Sequence, residues 1–360
     1  MTQLQEKECL KGRFVHLHLH TLYSALDGAI KIKKLAEKLK ANGMEACAIT
    51  DHGVMYGIID FYNTMKKEGI KPIIGSEFYI SPDSRFNKKD HYKQGDDTNY
   101  HLVLLAENND GLQNLYKLST IGFLEGFYRK PRIDKETLRQ YSKGVIALSA
   151  CLGGEISRKF LKEGYEAARN AALEYDEILG RNNYFLEIQE NGIPEQKIVN
   201  NQLIQISKET GIPLVATCDS HYLNKEDYSS HNILMQIQLG QVGDEKRKPR
   251  LKPVDASQQI KTDTTSQMKG DINGYLARED DLDDLSRDTS DTLDPAIMHS
   301  RSGKMDYSSM LYVKTPDEMY NDFSYCTEAV ENTVKIAERC NISITFGINH
   351  LPQYEVPEGY

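Results

Sequence analysis

The sequence predicts an α/β protein folded as a closed or nearly closed seven-stranded β/α barrel. Three observations carry that expectation: seven short apolar runs, amphipathic segments between them, and no Gly-x-Gly-x-x-Gly after the first run to mark an open dinucleotide-binding sheet. The runs are FVHLHLH (14–20), ACAITDH (46–52), KPIIGSEFYI (71–80), HLVLLAE (101–107), VIALSAC (145–151), YFLEIQ (184–189) and PLVATCDSH (213–221). Each has the length of a buried strand and is rich in Ile, Val, Leu or aromatics. IKIKKLAEKLKANG, IIDFYNTMKKEG and the long EISRKFLKEGYEAARNAALEYDEILG read as helices between them. Gly43, Gly69, Gly180 and Gly211 fall where a helix C-terminus commonly takes glycine. The alternation predicts parallel strands.

Composition sets the class. The 360 residues are 39% hydrophobic and 27% charged, which fits a globular chain and excludes a collagenous or wholly disordered one. No apolar stretch is long enough for a membrane helix, and the start MTQLQEKECLKGR lacks the apolar core of a secretory signal. Six cysteines without a CxxC pair read as free thiols, so a cytoplasmic protein with no membrane partner is expected. Residues 252–309 hold only 16 hydrophobic residues among 58, which predicts an exposed insertion or a disordered linker. Between Arg278 and Asp294, eight acids face two arginines, a net −6 of the chain's −9. Order is expected to resume at LYVKTPDEMYNDF and SYCTEAVENTVKIAERC, and Pro352 and Pro357 suggest an extended exit. The expected division is therefore 1–240, an acidic insertion at 252–309, and a C-terminal segment at 310–360.

The chemistry lies at the strand ends. His16, His18 and His20 share one face of the first run by the two-residue period, and Asp219 and His221 do so at the end of the last. His52 ends the second run and Glu77 lies late in the third. Cys151 ends the fifth, and Asp27 follows the first in SALDG. In a β/α barrel the strand C-termini converge on one mouth, where all of these would meet. His101 begins its run and fits that geometry less well. Imidazole, carboxylate and thiolate are zinc's ligand set, with manganese or iron at harder positions. Nine candidates exceed one tetrahedral ion and suit two or three, with a bridging carboxylate. Such a cluster holds hydroxide at neutral pH and offsets the charge of an attacked phosphate, the logic of phosphoester hydrolysis.

HLHLHTLYSALDG, ITDHG, GSEFY, YHLVLLA, SACLGG and ATCDSHY together resemble the successive motifs of the polymerase and histidinol phosphatase (PHP) domain. The resemblance is closest to the form found in bacterial replicative DNA polymerase III alpha subunits, and it extends through GFYRKPRID, SHNILMQIQLG, LYVKTPDEM and LPQYEVPEGY. It implies a distorted, TIM-like barrel and a metal-dependent phosphoesterase. It assigns His18, His20, Glu77 and Asp219 to one ion, and Glu77, His101 and Cys151 to a second. Asp27, His52 and His221 fall to a third. The implied cofactors are two or three divalent ions, zinc first and manganese second. The implied partners are a DNA 3′ end, the remaining domains of a polymerase alpha subunit, and a separate proofreading exonuclease subunit. The chain stops before the carboxylates of a polymerase site, so polymerisation is not expected of it.

Other residues carry weaker signals. Arg129, Lys130 and Arg132 form a basic loop suited to phosphate or DNA, or an ordinary solvated one. Tyr23, Tyr56 and Tyr222 neighbour the ligand motifs, where they serve base stacking or rim packing. His16 reads as a hydrogen-bonded core histidine and His231 as a packing one. Cys47 and Cys218 read as small core residues. Three functions compete: a 3′–5′ exonuclease of proofreading type acting through its metal cluster, a metal-stabilised scaffold that docks the exonuclease subunit, and a free-standing small-molecule phosphatase.

Overall fold

The computed structural model describes residues 10, 12–88, 99–238 and 309–348. The insertion at 252–308 and the exit segment at 351–360 lie outside the described residues. Seven strands are present among those described: β1 (Ala46–Ile49), β2 (Lys71–Ile80), β3 (Tyr100–Ala106), β4 (Arg132–Ile133), β5 (Val145–Leu148), β6 (Tyr184–Gln189) and β7 (Leu214–Thr217). They form one sheet in the order β1-β2-β3-β5-β6-β7, with the two-residue β4 beside β2.

The count of seven is reached in an unexpected way, because FVHLHLH is not a ladder strand. It lies extended between β1 and the end of β7, held by single bridges from His16 to Cys47 and from Leu19 to Ser220. Ala48 N donates to His16 O, and His20 N to Ser220 O, so this segment closes the sheet on itself. Side chains interrupt its ladder: Val15 N donates to Thr333 Oγ1, Leu19 N to Thr50 Oγ1 and Thr21 N to Asp51 Oδ1. The result is a distorted barrel.

The expectation of parallel strands needs one correction. β1–β2, β5–β6 and β6–β7 pair parallel, but β3 runs antiparallel to both β2 and β5. The β2–β3 register sets Tyr79 opposite His101 and Glu77 opposite Val103. Reversal of β3 brings its first residues to the end where its neighbours finish. His101, at the start of its strand, thereby joins the mouth.

The helices are α1 (Ile32–Ala41), α2 (Ile58–Lys67), α3 (Asn109–Leu124), α4 (Lys135–Gln140), α5 (Glu155–Glu163), α6 (Tyr165–Leu179), α7 (Pro194–Thr210), α8 (Tyr228–Gln238), α9 (Pro316–Asp322) and α10 (Thr327–Arg339). The single long helix expected over 155–179 is two, because Gly164 adopts φ +93° and caps both α5 and α6. Strand alternation makes two buried layers. Ile74, Leu104, Ala147, Leu186 and Ala216 belong to the cluster that includes most of the helices. Ile73, Val103, Ile146, Phe185 and Val215 form an inner cluster completed by Val334, Ile336 and Ala337 of α10. α10 is thus part of the barrel core, and Asn332 Nδ2 donates to Leu214 O to fix it against β7.

Candidate metal centre

The mouth gathers the side chains that the motifs singled out. His18, His20, Glu77, Asp219 and His221 are buried, and Asp27, His101 and Cys151 nearly or fully so. Three backbone positions here are bent into the left-handed region without being glycine: Leu26 before Asp27, Ala150 before Cys151, and Asp219 itself, with φ of 66°, 61° and 49°. Side chains favour that region little, so its recurrence beside the site reflects a geometry imposed by the surroundings. Gly153 makes a close approach: a Cβ there would lie 2.9 Å from the His101 ring.

Among the described residues, three groups bring their ligand atoms within 4.8 Å of one another: His18, His20 and Asp219; His52, Glu77 and His101; and His20, His52 and His221. His18 Nε2 and His20 Nε2 lie 3.2 and 3.1 Å from Asp219 Oδ1. The same two nitrogens lie 3.4 and 3.2 Å from Glu77 Oε2. His52 spans two carboxylates, with Nδ1 2.8 Å from Glu77 Oε2 and Nε2 3.0 Å from Asp27 Oδ2. His221 Nε2 is 3.6 Å from Asp27 Oδ1. Cys151 stands at the edge, its Sγ 3.9 Å from His101 Nδ1 and accepting from Gly153 N, and it belongs to none of the three groups.

The far sides of three imidazoles are taken. His18 Nδ1 meets Glu187 Oε1 at 2.7 Å, His20 Nδ1 meets Ser24 Oγ at 3.2 Å, and His221 Nδ1 donates to Asp219 O at 2.8 Å. That leaves each Nε2 aimed inward, the arrangement by which a second partner fixes a ligating histidine. Glu187 was not singled out in the sequence; an isolated acid inside the apolar run YFLEIQ is its one signal. Asp51 of the TDHG motif, which has no comparable sequence signal, accepts from Thr21 and Ser24 to hold the loop after the first segment.

Several of these inward atoms have no hydrogen bond: His20 Nε2, Asp27 Oδ1, both nitrogens of His52, Glu77 Oε1, both oxygens of Asp219 and His221 Nε2. They approach one another without hydrogen-bond alignment. A buried polar group left unpaired costs about 1–3 kcal/mol, and these eight atoms, gathered at one place, form a cradle that a cation fits. Electrostatics agree. Burial opposes charge on Glu77, yet His101 and His52 hold its carboxyl well below the usual range. Asp27 and Asp219 are lowered despite burial, by His221 and His52 and by His18 and His221 respectively. His18 and His52 are raised against burial, by Asp219 and Glu187 and by Glu77 and Asp27. Protons thus supply the positive charge that divalent ions would bring, and the donor set fits such ions.

The residues expected around the centre divide. His16 is a core histidine as expected, with Nε2 2.9 Å from Lys314 O and Nδ1 3.3 Å from Cys218 Sγ. His231 sits on α8 with Nε2 2.9 Å from Asp27 O, and burial lowers it to about 4. Arg132 is corrected: it is buried, and its guanidinium donates to Gly126 O, Arg85 O and Asn87 O, which ties the loop together and turns it from solvent. Tyr222 is corrected too, being fully buried against Met235, Leu311 and Tyr312. Tyr23 and Lys130 do line a cavity of about 390 Å³ that also reaches Asp27 and His52. Arg129 adopts φ +58° beside it.

Fold and site together define a β/α barrel whose mouth carries a donor set that fits divalent cations. Residues 16–191 match the family model described as PHP domain, and the chain belongs to the PHP family. It is 39% identical to DNA polymerase III subunit alpha of Borreliella burgdorferi over 351 residues, 96% of this chain and 25% of that protein. It is 46% identical to the same subunit of Aquifex aeolicus over 229 residues, 63% of this chain and 20% of that protein. The chain thus spans about a quarter of the length of the curated relatives it matches. A solved amidohydrolase from Chromobacterium violaceum aligns with a TM-score of 0.37 and 13% identity, covering 58% of this chain and 87% of that one.

Proposed function

We propose that this chain is the PHP region of a replicative DNA polymerase alpha subunit and that its mouth hydrolyses phosphodiesters at DNA 3′ ends. The observation that carries this reading is the set of buried ligand atoms without hydrogen bonds, converging beside a cavity wide enough for a small substrate. His18, His20, Glu77 and Asp219 would hold one ion, Glu77 and His101 with neighbouring Cys151 a second, and Asp27, His52 and His221 a third. His52 lies between the last two sites. Zinc suits the imidazole and thiolate donors best, and manganese suits the carboxylates. Such ions supply Lewis-acid polarisation of a phosphoryl oxygen and a nucleophile at neutral pH.

The chain's own residues do the rest. Glu187, Ser24 and the Asp219 carbonyl orient three imidazoles. Asp27 and His52 line the cavity, where a substrate phosphate would meet them. Lys130 lines it as well and contributes positive charge. The test is metal content by elemental analysis beside cleavage of a labelled single-stranded oligonucleotide. Two or three ions per chain with stepwise 3′ shortening are expected, and His20→Ala with Asp219→Ala should lose both. Unchanged cleavage by that double variant would refute the reading.

A second reading has one observation in its favour. His18, His20, Asp219 and His221 are completely buried, so ions there would brace the fold without touching substrate. A metal-stabilised scaffold, open to a separate exonuclease subunit, would melt earlier after chelation and cut nothing.

A further inference from the structure

Aromatic side chains gather at the cavity beside Asp27 and His52, from buried Tyr79 through half-buried Phe123 to two rings left largely in water. Tyr56, in the turn before α2, is 66% exposed, and Phe127, just beyond α3, is 48% exposed. Phe123 lies between them, its ring 6.4 Å from Tyr56 and stacked 6.2 Å from Phe127. Tyr56 and Phe123 line the cavity with Tyr79, and Lys130 Nζ stands 5.4 Å from the Tyr79 ring centre. Three separate elements therefore bring π-faces and one cation to the edge of a polar site.

We propose that Tyr56 and Phe123 form a stacking ledge for one unpaired nucleobase next to the phosphodiester that enters the mouth. The proposal rests on the phosphodiesterase reading above and names its substrate class as single-stranded nucleic acid. Stacking on aromatic faces is sequence-tolerant, since every base has a π-face. A base inside a duplex already has both faces covered, so only an unstacked one can use the ledge. An apolar protein surface suits the place less well, because Asp27 and His52 line the same cavity and would lose water to it without gaining partners.

The test is binding, read by fluorescence anisotropy with the full chain and added zinc. The probes are 5′-fluorescein oligonucleotides with a phosphorothioate at the last linkage, ending in thymidine or in an abasic tetrahydrofuran residue. The unaltered chain should bind the thymidine end about tenfold more tightly. Tyr56→Ala and Phe123→Ala should each bring the two probes close together, with metal content unchanged, while Tyr56→Phe keeps the preference. Equal binding of the two ends by the unaltered chain, or a preference that survives both alanine variants, overturns the ledge. A base preference without cleavage of any unmodified DNA upholds the ledge and refutes the hydrolytic reading. Cleavage without base preference refutes the ledge alone.

Discussion

Glu187 stands behind His18, away from the side that faces the other ligands. One oxygen takes His18 Nδ1 at 2.7 Å, Gln189 Nε2 at 2.9 Å and the Thr217 hydroxyl, so the carboxylate is itself held in place. A carboxylate in that position fixes the tautomer and strengthens the imidazole as a donor. Glu187→Ala should weaken zinc binding about 10- to 100-fold, measured by titration against a competing chelator, and Glu187→Gln should keep part of the affinity. Unchanged affinity in the alanine variant would show that His18 needs no support. The residues of the proposed ion sites were legible because histidines at a two-residue spacing, and acids at strand ends, are unusual in apolar runs. Glu187 was not, because its role depends on a neighbour 169 positions away. Arg132 and Tyr222 misled for the converse reason: closeness to a motif says nothing about which way a side chain turns.

At the scale of elements, the outcome turns on strand direction and on caps. β3 is a strand of the expected length whose reversed direction carries His101 into the site. Periodicity is the same read either way, so no pattern of apolar residues discloses it. Helix ends were easier. Gly43, Gly69, Gly180 and Gly211 all take positive φ just past helices, as their positions suggested. Asp134 begins α4 with a reciprocal capping box to Thr137, and it also accepts from Arg85 N at 2.9 Å and Arg85 Nη1 at 3.1 Å. Burial notwithstanding, these donors lower its pKa. Asp134→Ala should cost about 0.5–2 kcal/mol, the usual range for a lost N-cap, and urea denaturation would read it. A midpoint equal to that of the unaltered chain would mean that the Arg85 loop and α4 stand without this carboxylate.

For the molecule as a whole, the centre ties the closing segment 14–20 to β2 and to the residues just after β7, so ion binding there would be linked to folding. In the ion-free chain His18 and His52 titrate above the ordinary imidazole value. Their stabilising contribution is complete below about pH 6.5, the unfolded value, and fades as pH rises through the raised folded values. Bound ions would replace those protons. The difference in Tm between ion-loaded and chelated chain should therefore widen from about pH 6.5 upward, as thermal melts across a pH series would show. A constant difference would mean that the imidazoles do not exchange protons for metal.

The barrel class, the helix ends at Gly43, Gly69, Gly180 and Gly211, and the nine polar candidates were determined by the sequence alone, because spacing and residue type act locally and survive in any fold of that class. Only the tertiary structure decided that β3 runs backwards, that 14–20 closes the sheet through side-chain hydrogen bonds, that α10 completes the inner core and that Glu187 supports His18. Each depends on a contact between segments far apart in the chain, and the free energy of such contacts is set by packing in three dimensions, which one-dimensional periodicity does not record.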